Sequence, residues 1–342
     1  MFESIFYPTL VLTSVLSLYL LKTRKATRPK RWYLRLLKGK AIVLLFLMAT
    51  TLWAFQVVQI AAPKGTKWHE ATRLPKHMLN LSRAEVTDIE LVKVPYGDHD
   101  RQYVMLCNSK KVKPYQKETI LYLHGGGWHV GSPHQHLALA KILAEQGYRV
   151  IMGAYRLGPV HKYEDLRQDI STALVKTLDI LEEQGETNPE IILGGTSAGA
   201  NLAALLMYDR EELDKIGLDQ SLFKGFFAMA GALDIGAMPQ TRVLHSYAGT
   251  PTSHTFCQAN PVNHFSSCED IPVFCMHGDK DGLVKYNAAE SFVSKLQKVQ
   301  CSNVEFHTIK EGTHLNVASS WYYNPNDNHG QAEKLLSWLD KL

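Results

Sequence analysis

The chain has 342 residues, 45% hydrophobic and 20% charged, a balance that excludes a disordered or fibrous protein. Its net charge of +4 hides an asymmetry: residues 1–83 carry 14 Lys or Arg against two acids, and the remainder 23 bases against 31 acids. No aromatic–basic interleaving or recognisable nucleic-acid module accompanies the basic part, so nucleic acid is not an expected partner.

The first element, Ile5 to Leu21, is a run of 17 uncharged residues with Pro8 near its start. It reads either as a membrane span or as a buried core helix. Met1 to Ser4 contains Glu3 and no base, which is a poor start for a cleavable signal. Lys22 to Lys40 then holds nine Lys or Arg and no acid, and Ala41 to Ala62 is 22 residues without a charge, long enough to cross a bilayer. The expected arrangement is a membrane hairpin over 1–62, with spans at about 5–21 and 41–62. The positive-inside rule keeps its basic loop cytoplasmic and puts the rest of the chain, integral to the membrane, on the extracytoplasmic side. Lys64, Lys67, Arg73, Lys76 and Arg83, diluted by Glu70, pull more weakly the other way.

Residues 63–84 read as a linker or a lid-like amphipathic piece, with Trp68, Leu74, Met78 and Leu79 free to cover a site or touch lipid. From residue 85 the pattern changes. Val86–Tyr96 and Gln102–Cys107 predict a β-hairpin. Strands at Thr119–Leu123, Arg149–Ala154, Ile191–Leu193, Gly225–Met229, Pro272–Met276 and Val304–Ile309 then alternate with helices at Gln135–Gln146, Tyr163–Glu183, Ala200–Leu206, Ala288–Val299 and Gln331–Leu342. This alternation predicts a mostly parallel sheet with helices on both faces. Residues 236–263, rich in Gly, Pro, Ser and Thr, form a candidate substrate-facing insertion.

Chemistry gathers at the ends of these predicted strands. Gly195-Thr196-Ser197-Ala198-Gly199 follows Ile191-Ile192-Leu193. A G-x-S-x-G sequence between strand and helix holds a serine in a strained turn with its hydroxyl presented. The helix N-terminus behind it offers N–H groups and a positive dipole end to a developing oxyanion. His124-Gly125-Gly126-Gly127-Trp128 follows another strand, and its glycines let backbone N–H groups approach a substrate closely. With Ala198, Gly125, Gly126 and Gly127 are the candidate oxyanion hole. His124 reads as a loop-shaping hydrogen bonder. Trp128 and His129 either line the substrate pocket or pack.

Two carboxylates follow the strand ending at Met276. Asp281, before Gly282-Leu283-Val284, is favoured as the acid over Asp279, which lies nearer the strand end and could brace the turn. His314 follows the final strand, where a general base belongs. The expected triad is Ser197, Asp281 and His314, in which the histidine takes the serine proton and the aspartate orients the imidazole. Tyr155-Arg156 is expected to brace the oxyanion loop, with Asp169 as a partner for Arg156. No metal or cofactor is called for. Cys107, Cys275 and Cys301 read as core residues, whereas Cys257 and Cys268 could bridge in an oxidising compartment.

With these residues in hand, the chain resembles the α/β-hydrolase esterases of the hormone-sensitive lipase type, and most closely the small BD-FAE-like acyl esterases. The resemblance rests on His124 to Trp128, Tyr155 to Pro159, Gly195 to Gly199 with Asn201-Leu202-Ala203, His277 to Val284, and Gly312-Thr313-His314. Tyr247 to Pro251 and Asn260-Pro261-Val262 add to it. It covers roughly residues 85–342 and implies an α/β-hydrolase catalytic domain over that span, hydrolysing small-molecule acyl esters, with lipid-derived acyl groups expected beside a membrane anchor. An amidase or peptidase on the same triad, or a non-catalytic binding protein on the same fold, are the alternatives. Two departures stand out. Val160 stands where the family has Glu after the proline, so a carboxylate near the site is missing, and Asn260 replaces a serine.

Overall fold

The computed structural model describes residues 61–83, 86–112, 117–265, 270–299, 303–324 and 329–342, with helical positions at 43, 44, 47–51, 54 and 57. The chain falls into two units, residues 1–57 and 58–342, and the second holds the sheet. The expected span at 5–21 and half of the one at 41–62 lie outside the described residues. Among the described residues no helix is long and apolar enough to cross a membrane.

The second unit begins with helix α1 (Lys67–Arg83), where a linker or lid-like piece was expected. Strands β1 (Ile89–Pro95) and β2 (Tyr103–Ser109) form the predicted hairpin. The chain continues through β3 (Thr119–Leu123), α2 (Leu137–Glu145), β4 (Arg149–Gly153), α3 (Tyr163–Glu183), β5 (Ile191–Thr196), α4 (Ala198–Tyr208), α5 (Arg210–Lys215) and β6 (Phe223–Met229). The 236–263 segment folds as two short helices, α6 (Arg242–Ala248) and α7 (His254–Gln258). It is followed by β7 (Val273–Gly278), α8 (Tyr286–Leu296), β8 (Val304–Ile309), α9 (His314–Ala318) and α10 (Gln331–Leu339).

The eight strands form one sheet in the order β1-β2-β4-β3-β5-β6-β7-β8. β1, β2 and β4 pair antiparallel, and from β4 onward every pairing is parallel. The central strands β3 and β5 are buried at every position, which is why their sequences are continuous apolar or small-residue runs rather than alternating ones. The edges differ. β1 is mostly exposed, and β8 carries Glu305 and His307 with Lys341 against Glu305, charges that discourage further strand pairing.

Each face of the sheet carries its own core. Residues of α3, α4 and α8 pack on one side, and those of α2 and α10, together with Leu81 of α1, on the other. Every residue of α4 is buried, as expected of a helix apolar on all sides. Cys107 and Cys275 are buried in β2 and β7, while Cys257 is an exposed free thiol. Cys268 and Cys301 lie outside the described residues.

Candidate active site

β5 delivers Ser197. The residue sits at φ 53° and ψ −119° as the N-cap of α4, a left-handed backbone that serine adopts only under constraint. Its N–H donates to Met229 O at 3.0 Å and its C=O accepts from Ala232 N at 3.1 Å, so the end of β6 pins the turn. A Cβ on Gly199 would sit 2.1 Å from Leu123 O. The first turn of α4 therefore approaches β3 as closely as a backbone can, and only glycine fits.

His314 arrives from the loop after β8, at the first position of α9. Its Nε2 lies 3.0 Å from Ser197 Oγ and its Nδ1 2.7 Å from Asp281 Oδ2. Asp281 Oδ1 accepts from Leu283 N and Val284 N, both at 2.8 Å. His277, at the end of β7, places Nε2 3.2 Å from Asp281 Oδ2 and 2.8 Å from Val284 O. The three side chains expected from sequence are thus brought together, and Asp279 is not among them. Burial pushes the Asp281 carboxyl up, but the charge of His314 and the hydrogen bond from His277 outweigh it and hold the group well below the usual carboxylate range. Burial pulls His314 down, yet the charge and hydrogen bond of Asp281, helped by Glu70, leave it raised.

The glycine loop after β3 lies against the elbow. A Cβ on Gly125 would meet Thr196 Cγ2 at 2.8 Å and Ser197 Cβ at 3.2 Å. Gly126 has φ +126° and turns the loop back so that its carbonyl accepts from His129 N and Val130 N. Under the loop, His124 Nδ1 donates to Gly125 O at 2.7 Å, and Arg101 faces its Nε2 at 3.3 Å. Burial drops His124 to about 3, so the ring is neutral and shapes the loop. Arg101 also donates to Tyr155 O and Gly131 O, and Tyr155 OH donates to His124 O at 2.6 Å. Arg156 grips Asp169 with Nε and Nη2, and Gln102 adds a hydrogen bond to the same carboxylate.

Trp128 is buried and stacks on Tyr247 with centroids 4.2 Å apart. His129 is partly buried, with Nδ1 2.8 Å from Gly127 O. Val243 Cγ1, on α6, lies 3.5 Å from where a Cβ on Gly127 would be, so the 236–263 segment reaches the glycine loop. Val130, Val243 and Leu283 are exposed apolar residues on the glycine loop, α6 and the acid loop. Val160 is 79% exposed, and the expected carboxylate is absent there.

Three contributors escaped the sequence reading: Arg101, His277 and Glu70. Glu70, in the first turn of α1, is only 1% exposed. Its Oε1 accepts from His314 N at 2.8 Å and Gly282 N at 3.2 Å, and its Oε2 from Leu315 N at 3.3 Å. Burying a carboxylate without partners costs several kcal/mol, and these donors offset that cost. The one available signal was that Glu70 is the only acid between residues 4 and 83. Among the described residues no group of His, Cys, Asp and Glu has the arrangement of a metal site.

A family described as alpha/beta hydrolase fold matches residues 120–317, and the chain belongs to it. The chain is 23% identical over 237 residues to Esterase LipC of Mycobacterium tuberculosis, covering 65% of this chain and 59% of that protein. It is 32% identical over 106 residues to versiconal hemiacetal acetate esterase of Aspergillus parasiticus, covering 30% of this chain and 32% of that one. The matches therefore span less than two thirds of the length of these curated relatives. Among solved structures, esterase B of Lactobacillus rhamnosis superposes with a TM-score of 0.62 at 19% identity, covering 79% of this chain and 92% of that one. The Pyrobaculum calidifontis esterase superposes with a TM-score of 0.63 at 17% identity, covering 84% and 97%. At these identities the structural likeness speaks for the fold.

Proposed function

We propose that the protein is a serine hydrolase that cleaves carboxylic esters through an acyl-enzyme. The observation that carries this reading is the unbroken hydrogen-bond chain from Asp281 through His314 to Ser197, at a serine held with positive φ on a helix N-terminus. His314 takes the Ser197 proton as the hydroxyl attacks the acyl carbonyl, and Asp281 keeps the imidazole in the tautomer that presents Nε2. N–H groups of Gly125, Gly126 or Gly127 and of Ala198 receive the oxyanion. Losing one such donor typically costs about 100- to 1,000-fold in rate. His314 returns the proton to the leaving alcohol, then activates the water that releases the acid. No cofactor is required.

The relatives' names support an acyl ester as the substrate class, since they are an esterase and an acetate esterase. Val243, an exposed apolar residue beside Gly127 of the glycine loop, favours an apolar substrate group. The BD-FAE-like resemblance supports a small acyl ester as the substrate. The apolar runs at 5–21 and 41–62 and the nine bases between them support a membrane anchor with the hydrolase unit extracytoplasmic, near lipid-derived esters.

The test is hydrolysis of a graded series of p-nitrophenyl acyl esters by the purified full chain, with Ser197→Ala as control. The expected result is activity that falls about a thousandfold or more in the variant. A folded wild-type protein inert toward every ester removes this reading in favour of an amidase or a binding protein.

A further inference from the structure

Nothing in the hydrolytic scheme uses α1, a helix that precedes the matched family region by more than thirty residues. Yet it brings one buried carboxylate against both loops that carry the acid and the base. Glu70 collects the N–H of Gly282, next to Asp281, together with the N–H groups of His314 and Leu315. The approach on this side is close: a Cβ on Gly282 would lie 2.3 Å from Thr66 O, just ahead of α1. Farther along the helix, His77 places Nε2 2.7 Å from Ser319 Oγ and Nδ1 2.6 Å from Tyr323 OH. α1 is thus fastened to the segment after His314 at two points, and only the Glu70 point touches the loops of the acid and the base.

We propose that Glu70 is a positioning residue that locks the His314 loop to the Asp281 loop from behind, so that the distance between imidazole and carboxylate is set by the helix preceding the hydrolase domain. The inference rests on the reading of Ser197, His314 and Asp281 as a hydrolytic triad. Two N–H donors on one loop and one on the other share a single carboxylate, so neither loop can shift without losing a charge-assisted hydrogen bond. The same carboxylate adds negative charge beside His314, in support of Asp281. The titratable groups around the imidazole are Asp281 in front, His277 beyond that carboxylate, Glu70 behind the backbone, and His77 on α1, which burial lowers to about 4 and keeps neutral.

Glu70→Gln tests this. The amide keeps one acceptor oxygen but opposes an N–H2 group to one of the three donors and removes the charge. His77→Gln serves as control, loosening α1 without touching residues 281–284 or 313–315. The readouts are kcat and KM for an ester against pH, and the His314 imidazole titration by NMR of histidine-labelled full chain. Glu70→Gln is expected to lower kcat at least tenfold with little change in KM. It is also expected to move both the acid limb of kcat/KM and the His314 titration to lower pH, while His77→Gln moves neither. An unchanged titration in Glu70→Gln, or the same shift in His77→Gln, overturns the proposal. If no ester is hydrolysed, the NMR titration still decides it, so failure of the hydrolase reading is distinguished from failure of the Glu70 reading.

Discussion

At the scale of single residues, the behaviour of His314 follows from its neighbours. Asp281 and Glu70 outweigh burial and hold its proton above the ordinary imidazole value of 6.5. A general base must be unprotonated to work, so kcat/KM is expected to fall as pH drops through an inflection above 6.5. A profile flat down to pH 6 contradicts the raised value. Asp281→Asn leaves size and most contacts in place but lets the wrong ring nitrogen carry the proton; the expected loss is roughly 10,000-fold in kcat, measured beside a melting curve that stays close to wild type. Ser197, Asp281 and His314 were legible in the sequence because each follows a strand and sits among turn-forming neighbours. Glu70 and His277 were not, because their partners are backbone N–H and C=O groups or a carboxylate supplied by folding, and sequence spacing carries no trace of those.

At the scale of elements, the glycine loop is held from outside itself. Arg101, in the β1–β2 turn, reaches Tyr155 O, Gly131 O and His124 Nε2, tying the hairpin to the loop that would receive an oxyanion. Arg101→Ala is expected to lower kcat by about ten- to a hundredfold, in keeping with a mispositioned oxyanion donor, while Ser197 still reacts with a fluorophosphonate probe. Gly126→Ala is harsher, since φ +126° and a Cβ 2.0 Å from Val130 O leave no room. Both activity and melting temperature should drop, and an alanine variant with wild-type stability would contradict the geometry. Sequence pattern found the sheet strands and the long helix α3, because β3 and β5 are buried throughout and α3 buries a regular helical face. It missed α1, whose sequence mixes an inward Glu70 and His77 with an exposed Trp68, Leu74 and Leu79, and the short helices α6 and α7, which residues 236–263 form despite their turn-rich composition.

At the scale of the whole molecule, the hydrophobic runs of residues 1–62 and their charge asymmetry carry a topological prediction. A C-terminal reporter active only outside the cytoplasm should light up, and one active only in the cytosol should stay dark. The reverse pattern overturns the proposed orientation. The alternation of strands and helices was enough to read the fold class, because a parallel sheet covered on both faces leaves its mark on every segment. The way α1 joins the sheet domain left no such mark.

The grip of α1 on the two loops also settles where the chain can be cut. The matched family region begins at residue 120 and the first strand at Ile89, and a gene shortened to either point would look sensible by alignment. Such a fragment would keep the serine, the histidine and the aspartate and lack Glu70. A soluble version made for crystallography or screening therefore has to retain everything from about Val58 onward, the first residue of the second unit.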